Sequence, residues 1–370
     1  MAGLYIHVPF CKSRCIYCGF YSTTRGELQQ RYVDALCREM ALRPTTDERI
    51  ETIYLGGGTP SQLTIRQLGQ LFQNINKVYG LEQVREVTME CNPDDVNDAY
   101  AAALSQMPVN RVSMGAQTFS DDRLRFLRRR HTADEVRAAV ECLREAGIRN
   151  VSIDLMYGFP CETLAEWQVD VREALALGVE HLSAYALSYE EDTPLYRMLQ
   201  QGQVDEVDEE LSLQMYNTLA DMLCDAGYEH YEISNFARKG FRSQHNSSYW
   251  NQTHYIGLGA AAHSYDGLSR SWNIDDVVRY MESIETDCRP AEHEVLDDTT
   301  CYNDLVLTAL RTCEGISLSL LSPVQRSYCI AQAQPFLSDG RLCLTTDNRL
   351  RLTRRGLFVS NMVMSQLMMV

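Results

Sequence analysis

The chain has 370 residues, enough for two or three domains of roughly 150 residues, or for one barrel-sized domain with an appendage. Its 34 Lys and Arg against 50 Asp and Glu give a net charge of −16, which argues against broad neutralisation of nucleic-acid phosphates. We therefore predict no nucleic-acid partner. The 45% of hydrophobic residues fits a folded globular protein.

The N-terminal residues MAGLYIHVPFCKSRC run directly into polar and basic positions, unlike a secretory leader. No stretch approaches about 18 consecutive apolar residues. These features predict a cytoplasmic protein that is not integral to a membrane, and they leave peripheral membrane contact open. Thirteen cysteines in such a chain predict metal binding or redox chemistry instead of a disulfide framework.

Short β-branched or aromatic runs alternate with helical patterns through the first half of the chain. Thr163 and Glu166 form a capping-box pattern before one amphipathic run, and Gly147 and Gly178 stand where helices should end. The predicted strands are 4–8, 52–56, 86–91, 111–116, 150–158 and 181–188. The predicted helices are 26–42, 64–78, 95–106, 121–129, 132–146 and 163–177.

This βα repeat lacks a GxGxxG motif after its first strand, so a barrel or partial barrel fits it better than a dinucleotide-binding fold. In such barrels the chemistry lies at the carboxyl ends of the strands. Every unusual motif of this half falls at such an end: Cys11, 56–60, 90–93, Gln117 and 154–160. The fold class predicted here is therefore α/β, with a parallel sheet.

The pattern changes after residue 230, and we predict three units. Residues 1–230 form the barrel core, and 231–285 form an irregular, aromatic connecting segment that contains histidines. Residues 286–370 form a smaller C-terminal α+β domain whose helices and hairpin resemble a winged-helix unit. The acidic balance favours a packing role for this domain over DNA binding.

The segment CKSRCIYC places Cys11, Cys15 and Cys18 with C-x3-C-x2-C spacing on the loop after the first strand. Three thiolates can hold a 4Fe-4S cluster and leave one iron open to a ligand that carries an amine and a carboxylate. Three other interpretations compete with this one, and the first, simple core cysteines, is disfavoured by the neighbouring Lys12 and Arg14. Cys15 and Cys18 alone form a redox CxxC pair, and the three thiols with His7 would make a zinc site.

The cysteine loop resembles that of the radical S-adenosylmethionine (SAM) superfamily, whose members fold as partial (β/α)6 barrels. Further motifs resemble the oxygen-independent coproporphyrinogen III dehydrogenases and their HemW-type haem-chaperone relatives, and the likeness covers nearly the whole chain. The motifs are LYIHVPFCKSRCIYCGF (4–20), YLGGGTPS (54–61), MECNPDD (89–95), SMGAQTF (113–119) and SIDLMYGFP (152–160).

The resemblance implies a 4Fe-4S cluster and SAM as cofactors, and it assigns roles to matching positions. Positions that resemble ligands of the cluster-bound SAM are Tyr5, Gly57 and Glu90. Positions that match contacts to a second SAM in the decarboxylating relatives are Tyr17, Gly58, Thr59, Gln117, Arg129 and Asp154. Independently, Asp154 interrupts an apolar strand, and a buried carboxylate needs a partner. An internal ion pair is the structural alternative for Asp154.

Two departures separate this chain from the dehydrogenases. Those proteins carry a further cysteine two positions after the third ligand, where this chain has Phe20, and a long extension before the first strand, which starts here at Leu4. The segment HNSSYW at 245–250 matches the H-N-x-x-Y-W pattern of the haem-chaperone branch. The resemblance therefore implies a chaperone that binds haem and delivers it to acceptor haemoproteins, membrane respiratory enzymes among them. The alternative is oxidative decarboxylation of coproporphyrinogen III.

Within that segment His245 offers an imidazole as an axial haem ligand, and Tyr249 and Trp250 offer aromatic faces. A hydrogen-bonded structural histidine is the competing interpretation of His245. Three more histidines share the region and stay open as ligands: His230, His254 and His263. The sequence leaves a homodimer open.

Overall fold

A computed structural model describes residues 2–44 and 48–370 of the chain. Its first half repeats strand and helix six times, which confirms the α/β expectation. Strands β1 to β6 are Ala2–Val8, Ile50–Gly57, Glu86–Cys91, Arg111–Gln117, Asn150–Tyr157 and His181–Ala186. Helices α1 to α6 are Gln29–Leu42, Ile65–Tyr79, Asp98–Leu104, Asp121–Phe126, Ala133–Glu145 and Leu164–Ala176. Short 3-10 turns occupy Gly26–Leu28, Pro60–Gln62 and Pro93–Asp95.

Local sequence signals fix the ends of these helices. The hydroxyl of Thr163 accepts from the Glu166 N–H while the Glu166 carboxylate accepts from the Thr163 N–H, so the predicted capping box is confirmed. Gly147 and Gly178 follow α5 and α6 with φ of 90° and 62°, a conformation that favours glycine. Both glycines therefore end their helices as the sequence predicted.

The strands of the connecting segment join the same sheet as the barrel strands. Twelve strands run in the order β12-β11-β10-β9-β1-β2-β3-β4-β5-β6-β8-β7. The sheet therefore continues across the predicted boundaries at residues 230 and 285. The added strands β7 to β12 are Glu229–Glu232, Asn235–Ala237, His254–Leu258, His263–Tyr265, Ser269–Asn273 and Ala291–Val295. The added helices α7 to α10 are Pro194–Gln200, Glu209–Asp225, Gln244–Trp250 and Val277–Glu285.

The six parallel strands have two different buried faces. Their outward side chains, such as Ile6, Leu55 and Met114, belong to one apolar core with the helices. Their inward side chains are polar or aromatic: Tyr5, Thr52, Tyr54, Thr88, Glu90, Arg111, Ser113, Ser152, Asp154, His181 and Ser183. The barrel interior is therefore lined by polar and aromatic side chains and is not a second apolar core.

The C-terminal part has its own three-stranded sheet, of order β13-β15-β14, and its own apolar core. A bridge between Glu232 and Thr312 and an ion pair of 2.8 Å between Arg311 and Glu232 attach it to β7. Its strands are Ile316–Ser317, Leu342–Leu344 and Arg349–Leu352. Its helices α11 to α14 are Asp298–Ala309, Pro323–Ser338, Arg354–Leu357 and Ser360–Leu367. In the part of the chain that the structure describes, no helix combines the length and apolarity that crossing a membrane requires.

Candidate functional site

The cysteine loop follows β1 at the carboxyl end of the barrel. The backbone N–H of Cys11 donates to the Thr23 carbonyl at 2.9 Å, and the N–H of Ile16 donates to the Leu127 carbonyl at 3.2 Å. The three thiols are half-buried, and all thirteen cysteines are free thiols. The three loop cysteines line a cavity of about 200 Å³. The loop is thus anchored on both sides, with its three cysteines at one cavity.

Polar donors point at two of these sulfur atoms. The Thr59 hydroxyl donates to Cys11 Sγ, and Arg129 Nη1 donates to Cys15 Sγ, each at 3.5 Å. The other terminal nitrogen of Arg129 donates to Asn92 Oδ1 and to the Gly115 carbonyl, each at 2.8 Å. A fixed guanidinium beside sulfur suits ionised thiolates, so this donor set fits an iron-sulfur cluster.

The glycine run at the end of β2 lets two backbone segments approach closely. A Cβ atom on Gly58 would lie 2.6 Å from the carbonyl carbon of Pro9, at the start of the cysteine loop. Gly57 has a φ of 111°, in the region that favours glycine. Side chains at these positions would push the cysteine loop away from β2, so the glycines make the cavity possible.

Glu90 lies in the barrel mouth, where it lines both cavities. The Tyr54 hydroxyl donates to Oε1 at 2.7 Å, and the Gly57 N–H donates to Oε2 at 3.1 Å. Burial raises the pKa of Glu90 to about 7. Among the described residues it forms no ion pair, so an ammonium group from a ligand would complete its surroundings.

Asp154 lines the same space as Glu90. Burial raises its pKa, and the charges of Arg111 and Arg129 act in the opposite direction. No basic side chain of the described residues forms an ion pair with it. The internal ion pair, which was the structural alternative for Asp154, is therefore not what the structure shows.

The other predicted SAM residues surround the same space. Eight of the nine candidates line the 200 Å³ cavity together with the three cysteines: Tyr17, Gly57, Gly58, Thr59, Glu90, Gln117, Arg129 and Asp154. Tyr5 lies behind this lining, where its hydroxyl contacts His7 Nδ1 at 3.0 Å and its ring lies 6.2 Å from that of Tyr54. The structure thus brings the candidates together at one strand end.

A larger cavity of about 690 Å³ adjoins this site. Three carboxylates line it, those of Glu90, Asp154 and Glu190, together with Ser113 and Asn246. None of the described residues that line it is Lys or Arg. The cavity therefore favours ligands that carry positive charge or hydrogen-bond donors.

The geometry of His7 disfavours the zinc interpretation. Its Nε2 donates to the Tyr21 carbonyl at 3.1 Å, and its Nδ1 accepts from the Tyr5 hydroxyl. Both ring nitrogens are therefore engaged. His7 provides no fourth ligand to the three thiols in this arrangement.

Comparison with known proteins assigns the chain to a family. The model of the radical SAM superfamily matches residues 5–174. The chain is 36% identical to heme chaperone HemW of Bacillus subtilis, over 86% of this chain and 85% of that protein. It is 33% identical to heme chaperone HemW of Mycobacterium tuberculosis H37Rv, over 99% and 94%. The chain belongs to the HemW family of radical SAM proteins.

The fold of this HemW-family chain also matches a solved structure. The coproporphyrinogen III oxidase HemN from Escherichia coli superposes with a TM-score of 0.84, covering 99% of this chain and 89% of that one. Sequence identity between the two is 20%, so the likeness concerns the fold. It confirms the expected radical-SAM partial barrel.

The HemW-type segment HNSSYW does not present its histidine to solvent. His245 is fully buried, with its Nδ1 at 2.9 Å from the Thr52 hydroxyl and its Nε2 at 3.0 Å from the Tyr249 hydroxyl. The N–H groups of Gln244 and His245 donate to the Glu86 carboxylate, each at 2.9 Å. Helix α9 thus closes the floor of the barrel, and in this conformation His245 has no ring nitrogen available for haem iron.

The remaining histidines of the region differ in accessibility. His230 stacks on Phe236 and contacts the Ile233 carbonyl, and His254 pairs with Glu48. His263 is exposed and stacks on the half-buried Trp272, with ring centroids 5.9 Å apart. Within residues 2–44 and 48–370, the His263 ring makes no hydrogen bond. It is the accessible histidine of this set.

Sequence reasoning missed two residues of this HemW-family site. Arg111 is 1% exposed and lies inside the barrel, although a charged first residue of a strand is usually at the surface. Asn246 lies inside the HNSSYW segment and lines the larger cavity. The alternation of inward and outward positions in RVSMGAQ was the available signal for Arg111, since Arg111 shares its parity with Ser113 and Gln117.

Proposed function

We propose that this protein is a haem chaperone that carries a 4Fe-4S cluster and SAM, binds haem as cargo and delivers it to acceptor haemoproteins. The names of the HemW relatives support the haem role. The family match and the cysteine-lined cavity support the cluster and SAM. In this proposal Cys11, Cys15 and Cys18 hold the cluster.

The side chains around the cluster have separate tasks. Arg129 fixes the Cys15 thiolate, and Thr59 does the same for Cys11. Glu90 accepts the ammonium group of SAM, and Tyr54 holds that carboxylate in place. When bound, the cluster and SAM supply one-electron chemistry that no amino-acid side chain provides.

The lining of the larger cavity supports haem delivery over the alternative function. Coproporphyrinogen III carries four carboxylates, and a lining that adds Glu190 and no Lys or Arg disfavours it. Glu90 and Asp154 do not discriminate, because they match SAM positions that the decarboxylating relatives share. The same lining suits the positive sulfonium and ammonium groups of a second SAM. The proposal is therefore haem delivery without propionate decarboxylation.

Haem is also a dianion through its propionates, so we place the cargo outside this acidic cavity. His263 is our candidate axial ligand, because it is exposed and its ring is free of hydrogen bonds to the described residues. Trp272 beside it offers an aromatic face to the macrocycle. His245, the ligand predicted from sequence, would reach iron only after α9 left the barrel floor. We retain from the sequence the prediction of a cytoplasmic location, and peripheral membrane contact and homodimer formation stay open.

The test uses the full chain after anaerobic reconstitution of the cluster. Haem titration followed by absorption should give one haem per chain, and mixing with an apo-haemoprotein should transfer that haem. A second assay supplies coproporphyrinogen III, SAM and a low-potential reductant, and should give no protoporphyrinogen. Product formation in that assay, or failure to bind haem, would overturn the proposal.

A further inference from the structure

Arg111 has a buried guanidinium group, two of whose nitrogen atoms lack a partner among the described residues. It is 1% exposed, and its Nε and Nη1 atoms make no hydrogen bond. It forms no ion pair with any acidic residue among those the structure describes. A guanidinium in such a place costs much free energy unless other groups compensate its charge.

Two neighbours in the same row of the sheet also have unsatisfied polar atoms. Arg111 pairs in register with Thr88 of β3 and with Asn150 of β5. The Thr88 hydroxyl and the Asn150 carbonyl oxygen are buried and have no hydrogen-bond partner. Three adjacent strands thus bring together two guanidinium nitrogen atoms, one hydroxyl group and one amide oxygen, all without a partner among the described residues. Buried polar groups arranged in this way are the usual surroundings of ordered water.

The barrel interior above this row contains acidic groups that lack a basic partner in residues 2–44 and 48–370. Glu90 and Asp154 are half-buried carboxylic acids that line the cavities, and neither forms an ion pair within the described ranges. The buried histidines near Arg111 supply no negative charge, because His245 and His181 each use both ring nitrogens in hydrogen bonds to hydroxyl groups. The floor carboxylate Glu86 accepts the N–H groups of Gln244 and His245 and forms no ion pair with Arg111. Within the described part of the chain, Arg111 therefore lies unpaired below two carboxyl groups that also form no ion pair.

We propose that Arg111 is a positioning residue of the SAM site, which compensates the charges of Glu90 and Asp154 through ordered water in the barrel floor. Water fits better than a bound anion, because an additional anion would lie beside two carboxylates. Arg111 touches no SAM in this proposal. Its charge favours the ionised forms of the two carboxyl groups, and these forms can accept the positive groups of the ligand.

Two cations and several neutral groups face these carboxylates, and Arg111 is the cation that is not engaged elsewhere. Arg129 is held by Cys15, Asn92 and Gly115. The charge of Arg111 lowers the pKa of both carboxyl groups, against the larger effect of burial. The titratable groups around Glu90 and Asp154 are Tyr5, Tyr54, Cys91, Arg111, Arg129, Tyr185 and Tyr249, together with the cavity-lining Cys11, Cys15, Tyr17, Cys18 and Glu190.

The test measures the two carboxyl groups directly. Infrared difference spectra of the reconstituted full chain count protonated carboxyl groups as the pH is changed, and E90Q and D154N assign their bands. R111M should raise both titration midpoints by about one pH unit or more, which is about a tenfold weaker acid. R111K keeps a charge and should shift them less. Unchanged midpoints in R111M would overturn the proposal.

Thr88→Val is the second variant, because it is close in shape to the natural residue and removes one water partner. We expect a smaller upward shift of the same midpoints. Unchanged midpoints together with a higher melting temperature would overturn the role of water. The inference rests on the SAM site proposed above, and SAM binding is measured separately by calorimetry. A protein that binds no SAM would refute that site, while the carboxyl titration still decides about Arg111.

Discussion

The ring of His245 stacks on the ring of Tyr54, with centroids 5.2 Å apart and planes inclined by 28°. Tyr54 in turn donates its hydroxyl hydrogen to Glu90 at 2.7 Å. Helix α9 at the barrel floor therefore supports a carboxylate at the barrel mouth. This contact chain connects the HNSSYW segment to the proposed SAM site.

Replacing Tyr54 by Phe tests the upper end of this chain. In the unsubstituted protein the hydrogen bond from Tyr54 favours the ionised form of Glu90. Removing this bond should therefore raise the pKa of the Glu90 carboxyl group. At neutral pH the carboxylate population falls, and SAM affinity measured by calorimetry should drop about three- to tenfold. Tyr79→Phe is the matched control, since its hydroxyl donates to the Arg43 carbonyl away from both cavities. Equal SAM affinities of Tyr54→Phe and the unsubstituted protein would contradict this role.

Replacing His245 by Ala tests the lower end. The variant loses a fully buried ring and leaves the Thr52 and Tyr249 hydroxyls without their partner. We expect a loss of about 2–4 kcal/mol in the free energy of unfolding, from the cavity and the unmet hydrogen bonds. Denaturant titration measures it. An exposed His263 should cost little when replaced by Ala, and a cost as large as that of His245→Ala would be inconsistent with the described burial.

The same two variants separate the candidate haem ligands. We expect His263→Ala to weaken haem binding about tenfold or more, because an axial ligand is removed. The folded fraction of His245→Ala should bind haem nearly as tightly as the unsubstituted protein. Haem titrations by absorption give both affinities. The opposite order of affinities would return the ligand to His245 and require α9 to move.

The three cysteines of the loop should differ from the ten others in one measurable respect. Cys15→Ala should lose the visible absorption of the cluster and most of its iron and sulfide, because a thiolate ligand is absent. Cys224→Ala is the control, an exposed cysteine on α8 far from the loop. Equal iron contents in the two variants would show that Cys15 is not a ligand.

The sequence predicted the six barrel strands and the strand ends where the site lies, because βα periodicity and cap residues are local signals. Thr163 with Glu166 is one such signal, and its capping box is present. What could not be predicted depends on contacts distant in sequence. Arg111 meets Glu90 and Asp154 only inside the folded barrel, and His245 is buried because α9 returns to β2 after nearly two hundred residues. No pattern around His245 alone distinguishes a haem ligand from a residue that closes a barrel floor.

Glu90 also predicts a pH dependence of stability. Its pKa is about 7 in the folded protein, against an ordinary value of 4.5, because burial disfavours its charge. Between these values the folded state binds more protons than the unfolded state, so the free energy of unfolding decreases as the pH rises. The decrease is complete above pH 7 and amounts to about 3 kcal/mol for this shift. Thermal unfolding at a fixed scan rate, without SAM, should therefore show a melting temperature that falls between pH 5 and 8, by the amount that this loss of free energy of unfolding implies.

Glu90→Gln removes that titration and should flatten the profile, so its melting temperature exceeds that of the unsubstituted protein at the alkaline end. Glu141→Gln, at an exposed position of α5, is the control and should keep the original slope. At the acidic end the Glu90→Gln protein gains nothing, because the carboxyl group of the unsubstituted protein is then neutral in both states and keeps its bond to Tyr54. Parallel profiles of Glu90→Gln and Glu141→Gln would show that Glu90 keeps an ordinary pKa, and that Arg111 and Tyr54 compensate its burial completely.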